Sequence, residues 1–212
     1  MDVIVLAARK GGVGKTLMTA SLAVLAERTS RAEQTGGVAI IDFDPQGCLT
    51  NWQNSRDLQG PYMTETTPTR LGVTLEQLAL VGTRYVFIDT PPGHSDIVTT
   101  AMRAASLIVI PVKPSELDLA ATLRTATAAE RLGLPYVLLP NDATYRSRAM
   151  GQSIRLLRDA GMPLLSAVHH RVDLMLGRGR TASEAAPRSR GAQELDQVWS
   201  EMANILEEQD RD

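Results

Sequence analysis

Val3-Ile4-Val5-Leu6-Ala7-Ala8 runs directly into Arg9-Lys10-Gly11-Gly12-Val13-Gly14-Lys15-Thr16, and this junction decides the fold. An apolar run that ends in a glycine-rich turn reads as a buried strand feeding a helix through a phosphate-binding loop. The glycines let the backbone curl so that several N–H groups point at one phosphate. Lys15 supplies a point charge, and the Thr16 hydroxyl stands where it can ligate Mg2+ at the helix N-terminus. Gly11, Gly12, Val13, Gly14, Lys15, Thr16 and Leu17 thus form the core of a candidate nucleotide site.

The spacing is irregular. A standard loop ending at Gly14-Lys15-Thr16 requires glycine at position 9, where this chain has Arg9, and it carries an additional lysine, Lys10. One nucleotide already served by Lys15 and the backbone amides has little need of that second charge. The second lysine, Lys10, reads instead as one that reaches a phosphate held by another subunit. Lysine occurs only at Lys10, Lys15 and Lys113 among 22 basic residues, so the two loop lysines point to a need for a compact ammonium there.

Outward from the loop, apolar β-rich runs at 2–8, 38–42, 84–89, 106–112, 135–140 and 163–168 alternate with helical stretches at 15–29, 47–55, 73–82, 96–105, 116–132, 147–160 and 191–208. This alternation predicts an α/β fold: a single doubly wound, mostly parallel sheet with helices on both faces. A short additional strand is expected at 61–64. The polar motifs fall where the strands end, at Asp42-Phe43-Asp44-Pro45-Gln46-Gly47, Asp89-Thr90-Pro91-Pro92-Gly93, Lys113-Pro114 and Asn141-Asp142. Ligands of open α/β sheets bind at that edge, so distant segments should converge on one crevice.

Lys10 to Thr16 resembles the deviant Walker A motif of the ParA/MinD superfamily. The resemblance runs from Val3 to about Leu206 and implies a single P-loop ATPase domain over 1–212, a doubly wound P-loop fold, and ATP and Mg2+ as cofactors. It also implies a homodimer that sandwiches ATP with Lys10 crossing the interface. Asp89-Thr90-Pro91-Pro92-Gly93 resembles the D-x-P-x-G switch segment of that family. Asp42-Phe43-Asp44-Pro45-Gln46-Gly47 resembles its D-x-D-P-Q-G segment. Lys10, Lys15 and Asp44 are then the expected catalytic residues, with Asp44 positioning the attacking water. Thr16, Asp42 and Asp89 are the expected metal side, and Asn141 the expected adenine contact. Family members commonly follow that asparagine with arginine, and here Asp142 follows instead; ATP over GTP is implied by the resemblance alone. The stretch from Lys113 to Leu119 resembles the partitioning branch, in which the following helix lines the dimer face, and reads equally as a strand-to-helix connection with Ser115 as N-cap.

The net charge of −2 conceals a segregation. Residues 146–190 hold nine arginines against Asp159, Asp173 and Glu184, whereas residues 191–212 hold seven acids against Arg211. A basic segment without base-reading features suits nonspecific binding of double-stranded DNA, with Arg146, Arg148, Arg171, Arg178, Arg180, Arg188 and Arg190 as candidates. Dimerisation doubles such a patch and makes DNA affinity depend on ATP. The family resemblance adds a ParB-like adaptor or other cargo-bound activator, slow hydrolysis until that partner arrives, and segregation of a plasmid or chromosome. It favours the short form without an N-terminal DNA-reading domain.

Other features narrow the field. The single Cys48 excludes an internal disulfide and disfavours a cluster-bearing relative, and with no signal peptide or membrane span in the pattern it points to a cytoplasmic, nucleoid-associated protein. Leu195, Val198, Trp199, Met202, Ile205 and Leu206 form an apolar stripe amid acids, which predicts that helix 191–208 docks on the domain rather than on a membrane. His94, His169 and His170 make no credible metal set, and Trp52 and Trp199 read as packing residues. Two alternatives stay open: a MinD-like ATPase positioning cargo on a membrane or protein assembly, and an ATP-dependent metabolic enzyme of the same fold.

Overall fold

The computed structural model describes residues 1–113, 116–144, 148–174, 177, 179–209 and 211, with 116–118 and 148–150 as backbone only. Six strands form the sheet: β1 (Asp2–Leu6), β2 (Gly37–Asp42), β3 (Tyr62–Met63), β4 (Thr83–Asp89), β5 (Leu107–Val112) and β6 (Tyr136–Pro140). Their order is β3-β2-β4-β1-β5-β6, and every pairing is parallel. The helices are α1 (Lys15–Glu33), α2 (Cys48–Asn54), α3 (Leu71–Leu80), α4 (Asp96–Arg103), α5 (Glu116–Arg131), α6 (Arg148–Asp159), α7 (Ala182–Ala185) and α8 (Arg190–Gln209).

Between their ends the strands are predominantly apolar because both faces are covered. Ile4, Leu6, Ile40, Phe87 and Val109 point into one core, shared with α1 and α8, while Val3, Val5, Ile41, Ile88 and Ile110 point into a second, shared with α4 and α5. Alternation along each strand delivers successive side chains to opposite cores, each buried aliphatic contributing roughly 1.5–3 kcal/mol. Leu195, Val198, Trp199, Met202 and Leu206 of α8 are all buried. Trp199 meets the Tyr85 ring edge-on at 5.2 Å and donates its indole N–H to the Thr29 hydroxyl at 2.9 Å.

Helix α1 and the run 163–168 depart most from the sequence pattern. Helix α1 extends four residues past position 29, to Glu33, and stops at Gln34 in a left-handed cap with φ 56°. Ser30 to Glu33 are compatible with helix, and the sequence offers no glycine to stop the run before Gly36. The run 163–168 is not a strand. It lies beside β6, with Leu138 donating to the Pro163 carbonyl at 2.8 Å, Leu165 donating back to Leu138 at 2.9 Å, and Val168 donating to Pro140 at 2.8 Å. Pro163 has no N–H to give a ladder, and the segment settles for an irregular edge. By contrast, the short strand expected at 61–64 does pair with β2.

Candidate nucleotide site

Register brings the site together. Leu6 of β1 and Asp42 of β2 both align with Asp89 of β4, so three strands end at one level beneath the loop that follows β1. Backbone hydrogen bonds then tie the loops to one another. Phe43 donates to the Asp89 carbonyl at 2.9 Å and Gly93 to the Ala8 carbonyl at 3.4 Å. The buried Thr90 hydroxyl donates to the Leu6 carbonyl at 2.7 Å. The phosphate loop, the Asp42–Gly47 loop and the Asp89–Gly93 turn are thus one unit, as their placement at strand ends predicts.

Gly14 makes the turn into α1 with φ 93°, and a Cβ there would stand 2.2 Å from the amide nitrogen of Asn141. Only glycine fits. That amide donates to the Val13 carbonyl at 2.8 Å, and Asn141 is buried at 3% exposure. Asn141, expected as a base contact, therefore serves first as a brace between the end of β6 and the phosphate loop.

The two loop lysines are placed differently. Lys15 is turned inward, 7% exposed, while Lys10 is exposed. Burial lowers the Lys15 pKa from its ordinary value, against the opposing pull of Asp89 and Asp44.

Asp89 is fully buried. One carboxylate oxygen accepts the Thr16 hydroxyl at 2.5 Å, and the other, Oδ1, is buried without a partner. Burial raises its pKa to about 7; the Thr16 hydrogen bond and Lys15 work against that rise, and nearby Asp42 and Asp44 add to it. A buried carboxylate with an open oxygen beside a hydroxyl is a hard-oxygen donor pair of the kind Mg2+ takes while keeping water and phosphate ligands, so the residues present fit that ion. Among the described residues no group of three or more His, Cys, Asp or Glu forms a dedicated metal cage. Asp42 is tied into its own loop: Oδ1 accepts the Asp44 N–H at 3.0 Å, and Oδ2 accepts the Thr50 N–H at 2.9 Å and its hydroxyl at 3.0 Å. It orients Asp44 and the start of α2. Asp44, half-buried, accepts the Gln46 N–H at 3.0 Å through Oδ1 alone.

A crevice of about 190 Å3 continues from the loop, lined in part by Gly12, Leu17, Asn141, Asp142, His170 and Arg171. At its mouth Asp142, with φ 56°, binds Lys113 at 2.6 Å and the His170 ring. Lys113 and the His170 ring hold the Asp142 carboxyl below the usual carboxylate range against a modest burial penalty, the Lys113 hydrogen bond being the largest cause. The sequence marks Asp142 only as standing where family members commonly have arginine, and its cluster with Lys113 and His170 emerges in the fold. The signal was there: Lys113 and Asp142 follow β5 and β6, which are adjacent strands.

The basic segment is less open than its composition suggests. Arg171 binds Glu194 of α8 at 2.6 Å, and Arg180 binds Asp57 at 3.1 Å. Glu194 also accepts from the His169 backbone at 2.9 Å. The basic and acidic segments therefore cancel partly in space, which removes Arg171 from the exposed DNA candidates and engages Arg180. Arg188 and Arg190 are exposed. Arg146 and Arg178 lie outside the described residues, as do the side chain of Arg148 and, in the Lys113–Leu119 stretch, Pro114 and Ser115. Among the described residues no helix is long and apolar enough to cross a membrane.

Residues 4–198 match the family described as CbiA, the CobQ/CobB/MinD/ParA nucleotide binding domain. The Maintenance of carboxysome distribution protein A of Gloeobacter kilaueensis is 30% identical over 214 residues, spanning 90% of this chain and 92% of that protein. The chromosome-partitioning ATPase Soj of Thermus thermophilus is 30% identical over 139 residues, spanning 52% of this chain and 54% of Soj. A chain of the MinC:MinD cell division protein complex of Aquifex aeolicus superposes with a TM-score of 0.80 at 17% identity, covering 96% of each chain, a likeness of fold.

Proposed function

The chain belongs to the CobQ/CobB/MinD/ParA nucleotide-binding family, and we propose that it is an ATPase switch of the ParA type: it dimerises around Mg-ATP and distributes a cargo through an adaptor protein. The observation that carries this reading is the division between the loop lysines, Lys15 buried against the carboxylates and Lys10 exposed on the outer side of the same turn. In this reading a single nucleotide engages the first, and the second serves the phosphates of a partner protomer. Bound Mg2+ supplies charge neutralisation on the β- and γ-phosphate oxygens. Thr16 and Asp89 are the residues to hold it, Asp42 orients Asp44, and Asp44 positions water. Lys10 in trans acts as an arginine finger does, a contact worth about 10³ to 10⁵ in rate.

In this reading the ATP dimer holds nonspecific double-stranded DNA, and adaptor-stimulated hydrolysis releases it. Arg188 and Arg190 are the exposed described candidates for phosphate contacts. As to cargo, the relative named for carboxysome distribution matches along nearly the whole chain and the chromosome-partitioning relative along about half. That asymmetry favours a protein assembly as cargo over a plasmid or chromosome.

The test is retention on duplex DNA with ATP, ADP or no nucleotide, at two salt concentrations, beside size-exclusion chromatography and phosphate release. We expect ATP-dependent dimers and retention, strengthened in Asp44→Ala and lost in Lys10→Ala. A fully active Lys10→Ala protein sinks the sandwich; ATP-driven dimers that never retain DNA move the tether from DNA to another surface.

A further inference from the structure

Helix α2 begins without a cap of its own. Its N-cap is Gly47, held at φ 62° and with no side chain to accept the first amides of the helix. Asp42, at the end of β2, takes that place: its Oδ2 accepts the Thr50 N–H at 2.9 Å, at the third position of the helix. The Thr50 hydroxyl donates to the same oxygen at 3.0 Å. The other oxygen of Asp42 accepts the Asp44 N–H at 3.0 Å, and the Gly47 N–H closes on the Asp44 carbonyl at 2.9 Å. Asp44 is thus pinned at its amide by a carboxylate whose far oxygen is held by α2.

Capping alone does not account for the second bond to Oδ2. Any residue at position 50 except proline supplies the N–H; serine or threonine adds a short hydroxyl donor. Asp42 aligns with Asp89 on the neighbouring strand, close enough for the two carboxylates to repel. The last torsion of an aspartate is broad and roughly two-fold, so a carboxyl held by one bond at Oδ2 can swing and exchange its oxygens. With two bonds there it is clamped, and Oδ1 stays under the Asp44 amide.

We infer that Thr50 is a positioning residue for hydrolysis: it fixes Asp42, and Asp42 fixes Asp44, so that the water-positioning carboxylate follows α2. The role in hydrolysis rests on the function proposed above; the clamp on the Asp44 amide does not. The other end of α2 extends the reach of that clamp. Leu49 and Trp52 seat the helix in the core, and Arg56, just past its C-terminus, is bonded to the Gly179 carbonyl and to Glu184, each at 2.7 Å. A Cβ on Gly179 would stand 2.5 Å from the Ser55 carbonyl oxygen, so the arginine-rich segment lies directly against the end of the helix. One short helix joins that segment to the loop that carries Asp44.

The experiment compares Thr50→Val, which keeps the β-branch and removes the hydroxyl, with Thr50→Ala and Thr50→Ser. All three keep the N–H cap and should fold as the parent does. In the full chain with Mg-ATP, Thr50→Val and Thr50→Ala should lower kcat for phosphate release about tenfold, the rate equivalent of one hydrogen bond to a charged group. KM and the affinity for fluorescent ATP should stay within about twofold of the parent, and Thr50→Ser should recover most of the rate. Amide exchange followed by NMR needs no turnover: the Asp44 N–H should exchange about tenfold faster in Thr50→Val, while the amides of β1 and β4 keep the parent's protection. Parental kcat in Thr50→Val and Thr50→Ala, a serine variant as slow as valine, or a loss carried by KM instead of kcat overturns the positioning role. Unchanged Asp44 exchange in Thr50→Val overturns the clamp itself. A parent that hydrolyses no ATP, with Asp44 exchange responding as expected, overturns the proposed function and leaves the clamp standing.

Discussion

The crevice at the strand ends and the seam where the end of α2 meets α7 both bury charge, and they treat it in opposite ways. In the crevice Lys15 and Asp89 are buried with their demands incompletely met: Lys15 makes no ion pair among the described residues and Asp89 keeps an open oxygen. In the seam the Arg56 side chain is 2% exposed and both its terminal nitrogens are engaged, bonded to Glu184 at 2.7 Å and to the Gly60 and Gly179 carbonyls at 2.7 Å, with the guanidinium 4.6 Å from the centre of the Trp52 ring and only Nε left without a partner. Buried charge that meets an opposite charge holds a structure together, and buried charge without a salt-bridge partner is the kind a ligand can complete. The fold places each kind where it is useful.

Lys15→Ala is the strongest test of the open region. It removes the buried ammonium that faces the phosphates, and loss of one preorganised electrostatic contact is worth about 10²–10³ in rate. ATP binding by fluorescence should fall away and phosphate release drop by at least that factor, with the melting temperature little changed or raised, because an unpaired buried cation has gone. Nucleotide binding at the parent level would mean that Lys15 belongs with the structural charges of the seam.

Arg56→Ala should do the reverse. It leaves Glu184, with 12% of its side chain exposed, without its cation, and breaking a buried pair from one side costs about 3–5 kcal/mol. Denaturant unfolding should show that loss, while ATP binding per folded molecule is unchanged. The pH dependence sharpens the assignment. Burial works to raise the Glu184 pKa, but hydrogen bonds from Arg56 and Thr181 outweigh it and hold the carboxyl below its ordinary value. A carboxyl depressed on folding contributes stability that is present above its unfolded pKa of about 4.3 and is lost as pH falls through the lower folded value. The gap between parent and Glu184→Gln should therefore be widest near neutrality and close in acid.

The two regions also differ in how much of them the sequence reveals. The phosphate loop, Thr16 and Asp89 follow from spacing, because a motif at the end of an apolar strand keeps its neighbours when the chain folds. The sheet follows for the same reason, and it fails at 163–168, where Pro163 interrupts a ladder that the apolar pattern alone promises. The seam could not be read. Arg56 and Glu184 lie 128 residues apart, and nothing in either neighbourhood names the other. Asn141 stands between the cases: its place at the end of β6 is legible, and its bond to Val13 depends on a loop contributed by β1.

The arginine-rich stretch is where that difference has a functional consequence. Counting charges gives Arg171 and Arg190 equal standing, whereas folding pairs Arg171 with Glu194 and leaves Arg190 exposed. If phosphate contacts come from open charges, Arg188→Ala/Arg190→Ala should weaken ATP-dependent DNA retention and flatten its salt dependence by about 0.9 in the logarithmic slope per lost contact. Arg171→Ala should leave the slope intact and act through stability instead, by about 1 kcal/mol for a part-exposed pair. Equal losses of slope from both variants would place Arg171 on the DNA face and imply that the pair with Glu194 opens when DNA arrives; the acidic tail would then be competing with DNA for the same guanidinium.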